Sequence, residues 1–581
     1  MSPKRTLLVL LASASLAVTA LPAAASASPT IPTSYPRSET MYTSGTMYGQ
    51  PGDFNPLNTG DYTTGTLGLL YEPLFLYNPL TNKFIPWLAE SGSWTGAKQY
   101  TLTLRQGLKW NDGTALTADD VVYTVNLGKL ASSPYSSLWN FLASVTKVNS
   151  TTVQFTFSKP EYQEWSNWLY NYGILPANVW GTQTATTLLT YNVYTKTPSA
   201  GVVGSGPYEL LTFDTQKVVW VRNDSWWGTT VLGLTMKPKY IIDEVNASNN
   251  VELGQMLAGN LDLSNNFLPG IGQIVSNKVG GYPISTYYAK PPYMLSANTA
   301  WLATNDVKTP TNDPVFRRAL AMSINVSQIV NNVYGNIVAA ANPTGLLPSW
   351  SQYINQSLVK QYGFKYNPGG AKALLKSAGY KLGSDGYFRN KNGSVINLQL
   401  QVPSGWTDWM AAIQSIAQSA KAGGIRITPV YPSYNDYQNK LQNGTFQLAI
   451  VNNAQLSNTP WTYYNFMFNQ PIQKVQSSNY NFGRYSNKQI WALTQQLDTT
   501  PSTNVTAMKA IISQIQKIQL QDTPIIPLWY NGVWAQAYNG VWTNWPTSAS
   551  GSPHYVPCTW RGYWNLGAVL MLTTLKPVPT S

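Results

Sequence analysis

Residues 100–121 read Tyr100-Thr-Leu-Thr-Leu-Arg-Gln-Gly-Leu-Lys-Trp-Asn-Asp-Gly-Thr-Ala-Leu-Thr-Ala-Asp-Asp-Val121. From Tyr100 to Arg105, apolar and polar side chains alternate with the period of a half-buried strand. Asn111-Asp-Gly113 is a turn signal. Thr117-Ala-Asp-Asp120 is a capping box, so a helix opens there and carries Val121, Val122 and Val125 inward. Strand, turn and capped helix in one short stretch predict an α/β chain. Val153-Gln-Phe-Thr-Phe157 repeats the strand alternation further on.

The middle of the chain reads as more helical. Asp313 followed by Pro314 is an N-cap and first-turn pair, with Phe316, Ala319, Leu320 and Ile324 on one face. Val326, Ile329, Val330, Val333 and Tyr334 repeat the stripe. Pro368 opens and Gly379 closes another helix. Trp409, Ile413, Ile416, Ala417 and Ala420 form a further stripe ended by Gly423-Gly424, so Trp409 is expected in the core. Val505, Met508, Ile512, Ile515 and Ile518 line the last long helix, before Pro524. No repeat of 20–50 residues interrupts the mixture, which excludes solenoids and propellers.

Composition narrows function. The 581 residues include 37 Lys+Arg, 24 Asp+Glu, one His and one Cys. A site needing two histidines or two cysteines is impossible, which removes HExxH zinc enzymes, zinc fingers, cysteine-ligated clusters and intramolecular disulfides. The net charge of +13 reflects scarce carboxylates, and the basic residues are scattered where a phosphate-binding face would cluster them. No nucleic-acid partner is therefore expected. Paired carboxylates lose their stabilisation when protonated, so few of them suits a chain exposed to acid.

Lys4-Arg5 precedes an apolar run from Leu7 to Leu21, then Pro22 and small residues through Ala25-Ser26-Ala27, the pattern of a secretory signal peptide. Cleavage after Ala27 would leave a net charge of +11, which is 13 minus Lys4 and Arg5. An uncleaved membrane anchor is the alternative, since Leu7 to Ala27 could just span a bilayer. The only cysteine is Cys558, so no lipid-bearing N-terminal cysteine is available. The expected location is outside the cytoplasm, at the cell envelope. Residues 28–38 form a Ser/Thr/Pro-rich linker.

Catalytic signals are few. His554 lies in a Gly/Ser/Pro-rich loop, and no G-x-S-x-G elbow or phosphate loop is present. Two carboxylates across a cleft would suffice for a glycoside hydrolase, yet no local pattern singles out a pair. In contrast, 22 Trp and 37 Tyr supply faces that stack on sugar rings and tips that hydrogen-bond without charge.

Several stretches together resemble the peptide/nickel class of ABC-transporter solute-binding proteins, solute-binding family 5. The 100–121 stretch is similar to that family's strand–turn–helix element. Asp53-Phe-Asn-Pro-Leu57, Leu70-Tyr-Glu-Pro-Leu74, Gly204-Ser-Gly-Pro-Tyr208, Asp313-Pro-Val-Phe-Arg-Arg-Ala-Leu320 with Ser323-Ile-Asn325, and Asn367-Pro368 through Ala378-Gly-Tyr380 match further elements in order. The resemblance implies an α/β, two-lobed periplasmic-binding-protein-like fold (type II, with an extra subdomain) and no catalysis. Lobe I would comprise 39–295, with an inserted subdomain at about 78–203. Lobe II would run over 296–527, and 528–581 would return to lobe I. The quoted elements are expected to be scaffold.

In peptide-binding members an aspartate after a lobe II strand pairs with the peptide ammonium. The matching segment here, Phe446 to Tyr464, contains no acid, and Gln455 or a neighbour stands in that place. Burying an ammonium without a counter-charge costs several kcal/mol. The same segment, with Thr459-Pro-Trp461 and Tyr463-Tyr464, looks more like the oligosaccharide-binding (cellobiose-type) branch. So does Val402-Pro-Ser-Gly-Trp-Thr-Asp-Trp409, where Trp406 would stack on a ring and Asp408 would accept from hydroxyls. Tyr463 and Tyr464 are divided between lining a cleft and packing. The expected ligand-binding set is Asp61, Tyr62, Trp406, Asp408, Asn452, Asn453, Gln455, Trp461, Tyr463 and Tyr464. Nickel or haem delivery lacks its histidines, and neither metal nor cofactor is expected. The expected protein is a monomeric, non-enzymatic carrier that hands an oligosaccharide to an ABC permease and its ATPases. An oligopeptide carrier is the first alternative, a secreted glycoside hydrolase the second.

Overall fold

A computed structural model describes residues 31–44, 51–58, 62–130, 135–194, 202–452, 456–476 and 481–579. The leader expected at 1–27 lies outside the described residues, as do Asp61, Asn453 and Gln455. No described helix is long and apolar enough to cross a membrane.

The 100–121 stretch folds as its pattern predicts. Gln99–Leu104 is a strand whose burial alternates, and it pairs antiparallel with Thr152–Phe157, Tyr100 opposite Phe155. With Ala89–Gly96 and Leu142–Lys147 these strands form a four-stranded sheet. The turn closes with Gly113 donating to Trp110 O at 3.0 Å. The helix Ala118–Asn126 carries the reciprocal cap: Asp119 N donates to Thr117 Oγ1 at 3.2 Å and Thr117 N to Asp120 Oδ2 at 2.8 Å. The other Asp120 oxygen accepts from Ala177 N at 2.9 Å, tying this helix to the next segment.

Two larger sheets organise the rest. The first has the order Ile284–Thr286, Gln536–Tyr538, Leu263–Ser264, Thr40–Ser44, Tyr240–Glu244, Lys217–Arg222, Tyr208–Phe213. Thr40–Ser44 runs parallel to both of its neighbours. The second sheet has the order Ile427–Val430, Leu398–Gln401, Leu448–Val451, Leu295–Thr304, Ile525–Val533. Leu448–Val451 and Ile525–Val533 are buried at every position, which explains their apolar or aromatic runs: neither face meets water. The chain passes between these sheets at two places, residues 287–294 and 534–535. The strands entered and left there, Leu295–Thr304 and Ile525–Val533, pair antiparallel along almost their whole length. This is a two-lobed α/β fold, with the division expected at 527/528 falling inside Ile525–Val533.

Helices expected from sequence stripes lie in the chain between the strands of the second sheet. Pro314–Ser323 is capped by Asp313, whose carboxylate accepts from Val315 N at 2.9 Å. Thr407–Ala422 ends at Gly423 and buries Trp409, Ile413 and Ile416. Pro368–Ser377 and Val505–Asp522 follow the same rule. The glycine of the 204–208 turn is required by close approach: a Cβ on Gly206 would lie 1.9 Å from Leu69 O.

The first core is dominated by aromatics, with Trp87, Trp165, Trp180, Trp220, Trp226 and Trp227 among its fully buried side chains. Each contributes roughly 2–3 kcal/mol through burial. Within it, Glu72 is 1% exposed and accepts from three indoles: Trp87 Nε1 at 2.9 Å, Trp226 Nε1 at 3.2 Å and Trp227 Nε1 at 2.8 Å. Among the described residues, no cation is paired with Glu72. Burial pushes the Glu72 carboxyl up to about 8, against the opposing pull of the Trp227, Trp87, Ser205 and Trp226 donors.

Candidate ligand-binding cleft

In open α/β sheets, ligands sit beyond the carboxyl ends of parallel strands. This chain has two such edges. In the first sheet, Thr40–Ser44, Tyr240–Glu244 and Leu263–Ser264 are parallel. In the second, Leu398–Gln401 runs parallel to Ile427–Val430 and Leu448–Val451. The loops leaving these edges meet. Asn249 Nδ2 donates to Thr407 Oγ1 at 3.2 Å and to Asp408 Oδ1 at 3.5 Å. A Cβ on Gly405 would lie 3.6 Å from Ala247 O. Asn265 Nδ2 donates to Trp534 O, and Asn265 Oδ1 accepts from Thr559 N at 2.7 Å, so the second crossing and the C-terminal segment close the same place.

A buried polar layer underlies the first edge. Thr43 Oγ1 donates to Asp243 Oδ1 at 2.8 Å, Asn246 Nδ2 to Ser44 Oγ at 3.0 Å, and Asn266 Nδ2 to Glu252 Oε2 at 2.7 Å. Ser264 Oγ also donates to Glu252. Burial raises Glu252 to about 7, opposed by the Ser264, Asn266 and Ser44 donors. Burial likewise raises Asp243 to about 6, opposed by the Thr43 hydroxyl. Both acids lie within the wall: Glu252 accepts from neutral donors on both oxygens, whereas Asp243 Oδ2 is a further buried acceptor without a hydrogen-bond partner among the described residues.

Four neutral carboxamides on the segments that meet here retain unused capacity. Asn249 Oδ1, Gln401 Nε2, Asn531 Oδ1 and Gln536 Oε1 are buried and have no hydrogen-bond partner among the described residues. A buried polar atom left unpaired costs about 1–3 kcal/mol. Such atoms beside a cleft are matched to a partner that offers both donors and acceptors. Neutral amides serve hydroxyl groups without the counter-charge an ion would demand.

The expected site residues are distributed unevenly around this meeting point. Trp406 precedes the helix Thr407–Ala422 and is half-buried. Its ring lies edge-on to Trp409 at 4.6 Å and stacks on Tyr434 at 6.0 Å. Asp408 is 6% exposed and already accepts from Tyr334 OH at 3.0 Å as well as from Asn249. Burial raises it to about 6. Asn452 follows the strand Leu448–Val451 and is half-buried. Tyr62 is half-buried and packs against the first core.

Trp461, Tyr463 and Tyr464 sit in the helix Trp461–Phe468 with Thr462, Met467 and Phe468, all buried. Tyr463 packs between Trp301 and Trp350, and Tyr464 OH accepts from Gln516 Nε2 at 3.3 Å. The helix is apolar around most of its circumference, and only Asn465 and Phe466 remain half-buried, as expected of a helix packed inside the protein. The structure thus brings Trp406 and Asp408 to the meeting point and puts Trp461, Tyr463 and Tyr464 in packing. Asn246, Asn249, Gln401, Asn531, Gln536 and Thr559 were absent from the expected set. The one local signal for them is a small polar residue where an apolar run ends, as in Tyr240-Ile-Ile-Asp-Glu-Val-Asn246.

Comparison with known proteins bears on the family and the fold. The family model of bacterial extracellular solute-binding proteins, family 5 Middle, matches residues 83–474. The nickel-binding periplasmic protein of Escherichia coli is 28% identical over 372 residues, 60% of this chain and 64% of that protein. A probable ABC transporter-binding protein of Deinococcus radiodurans is 26% identical over 383 residues, 62% of this chain and 63% of that protein. The chain thus matches a little under two thirds of the length of these curated relatives. Among solved structures, a periplasmic oligopeptide-binding protein from Thermotoga maritima, crystallised with mannohexaose bound, superposes with a TM-score of 0.86 at 39% identity. The alignment covers 94% of this chain and 99% of that one. The oligopeptide-binding protein AppA of Bacillus subtilis, in complex with a nonapeptide, shares the fold at 20% identity and a TM-score of 0.74, covering 93% and 99% of the two chains.

Proposed function

The chain belongs to the bacterial extracellular solute-binding proteins, family 5, and we propose that within this family it captures a neutral oligosaccharide and delivers it to an ABC permease. It is a binding protein and not an enzyme, as its relatives are. The observation that carries the sugar reading is the group of neutral carboxamides with unused hydrogen-bonding capacity where the two carboxyl edges meet. A sugar hydroxyl both donates and accepts and can satisfy either end of an amide. A peptide ammonium needs a carboxylate, and the segment 446–464 has none. The Thermotoga maritima protein with mannohexaose bound supports the same class.

The lobe assignment belongs to the same proposal. Lobe I comprises 39–295 with its inserted subdomain at 78–203, completed by 528–581, and lobe II comprises 296–527. Sheet membership supports this division, with the return crossing set slightly later, at 534–535. Closure is a population shift, driven by ligand contacts that exist only when the edges face each other. Of the expected residues, Trp406 is assigned to stacking on a sugar ring. Asp61, Tyr62, Asn452, Asn453 and Gln455 are assigned to the same ligand-binding set. Asp408 acts by orienting Asn249, and Trp461, Tyr463 and Tyr464 support the wall. The protein is proposed to be exported by its N-terminal leader and to work as a monomer.

Isothermal titration with mannohexaose, other oligosaccharides of graded length, and di- to pentapeptides tests the reading. Saturable binding of at least one oligosaccharide with no peptide response is expected. Binding of peptides alone would replace the ligand class with the oligopeptide one. Release of reducing sugar during incubation would overturn the carrier function itself.

A further inference from the structure

A second feature lies away from the cleft, on the seam between the lobes. The helix Tyr162–Asn171 precedes the first crossing, whereas Lys488–Asp498 lies between the two crossings. Any movement about residues 287–294 and 534–535 therefore shears the contact between these helices. The contact is specific. Asp498 Oδ1 accepts from Gln163 N at 3.0 Å and from Glu164 N at 2.9 Å, and Gln163 Nε2 donates to Thr500 O at 2.6 Å. Further along the same helix, Asn458 Nδ2 donates to Ser166 Oγ at 2.8 Å and Asn458 N to Tyr170 OH at 3.4 Å. This seam closes only when the lobes are together.

At its end three carboxyl groups converge. Glu161, Glu164 and Asp498 place oxygens within 4.8 Å of one another. Glu161 is 7% and Asp498 3% exposed, and Glu164 is half-buried. The charged or titratable groups facing them are Lys159, ion-paired to Glu161, and the carboxyls themselves. Ser137 contributes a hydroxyl toward Glu164. One lysine against three ionised carboxylates would leave two negative charges uncompensated at a seam from which water is largely excluded. Carboxyls this close cannot all ionise without strong mutual repulsion. Lys159 already supplies the local positive charge, so the remaining demand is for protons.

We propose that Glu161, Glu164 and Asp498 form a proton-dependent latch between the lobes, in which a shared carboxyl–carboxylate hydrogen bond fastens the closed form and ionisation releases it. Two backbone N–H groups hold one Asp498 oxygen, leaving the other free to share a proton with a glutamate opposite. Opening separates Asp498 from both glutamates, returns all three groups to water and releases the proton. Closure therefore takes up protons and is favoured in acid. Burial, reinforced by Glu161, raises Glu164 to about 8, and burial with the two glutamates raises Asp498 well above the usual carboxylate range. Both directions agree with a closed form that holds protons. The inference rests on the two-lobed fold and is independent of ligand class.

The test uses the full-length chain without ligand. Val148 and Val475, 59% and 52% exposed on opposite sides of the seam, are replaced by cysteine and labelled for single-molecule energy transfer. Cys558 is buried and does not compete for label. The closed fraction is expected to fall between pH 4.5 and 7.5, the closed-to-open ratio changing up to about tenfold per pH unit for each proton linked. Asp498→Asn keeps an oxygen for the two N–H groups while removing the charge. It should hold the closed fraction high at both pH values, and Glu164→Gln should flatten the profile independently. A closed fraction unchanged with pH in the wild type would overturn the latch. So would a wild-type profile surviving in both variants, or full closure at pH 7.5 on adding calcium.

Discussion

Acidification from pH 7.5 to about 4.5 should stabilise this protein, and Glu72 shows why. Its carboxyl moves from an ordinary value of 4.5 to about 8 in the fold because burial outweighs its neutral donors. Between those values the folded chain binds more protons than the unfolded one, so stability falls as pH rises. At about 1.4 kcal/mol per unit of separation, nearly all of it expressed by pH 7.5, Glu72 alone removes about 4 kcal/mol between pH 4.5 and 7.5. Glu252, Asp243 and Asp262 are raised by burial in the same direction. An unfolding entropy of about 2 cal/mol/K per residue converts the Glu72 contribution to a Tm shift of roughly 3–4 °C for a chain of this length. Differential scanning calorimetry at half-unit pH steps measures the slope, with Glu72→Gln as the control. The variant sets an amide N–H₂ against an indole donor and costs about 1–3 kcal/mol, but it cannot titrate and its pH slope should be shallower. A wild-type Tm that rises from pH 4.5 to 7.5, or a variant with the parental slope, would refute the reasoning. Asp313 bounds the effect on the acid side. Burial pushes it up, yet Lys391, Val315 N and Tyr380 hold it below its usual range, so its contribution is lost as pH falls through that range.

Other substitutions test separate parts of the fold and site. The buried Arg317 guanidinium donates to Thr311 O at 2.9 Å, Asp522 O at 2.7 Å and Thr523 O at 3.0 Å, so Arg317→Met should destabilise by about 3–5 kcal/mol, because it leaves these carbonyls without their donors at about 1–3 kcal/mol each; urea midpoints at constant m-value check it. Thr117→Ala removes the cap on Ala118–Asn126 and should cost about 1 kcal/mol, measured by the same titration. Trp406→Ala should weaken oligosaccharide binding by about threefold to tenfold, the worth of one aromatic stacking contact, with circular dichroism unchanged. Affinity equal to wild type would remove Trp406 from the site.

Local chemistry made the scaffold readable from the chain. The Thr117 capping box, the Asp313-Pro314 helix start and the alternation at Tyr100–Leu104 each depend on residues a few positions apart, and each forms as expected. The cleft depends on distance in sequence. Asn249, Gln401, Asn531 and Gln536 stand on segments related only through sheet order and two crossings, which no local period encodes. Tyr463 and Tyr464 show the opposite difficulty. Their aromatic character suits stacking on a sugar, but in Trp461–Phe468 the neighbours are apolar too, and the helix buries them. Asp408 had the chemistry of a hydroxyl acceptor, while Tyr334, more than seventy positions upstream, supplies a hydroxyl from within the protein.

The strand Gln536–Tyr538 has a consequence for the order of assembly. It is not added at an edge of the first sheet; it is inserted between Leu263–Ser264 and Ile284–Thr286, which have no other link to each other there. A chain emerging from its N-terminus first exposes a sheet with a vacant lane, and Ile284–Thr286 waits without a neighbour until nearly the whole polypeptide has appeared. The intervening region, which begins and ends on the adjacent strands Leu295–Thr304 and Ile525–Val533, can complete its own sheet before that lane is filled. The last few dozen residues therefore act as the keystone of the earlier half, and truncation before Gln536 should release a folded inner unit flanked by an unfinished one.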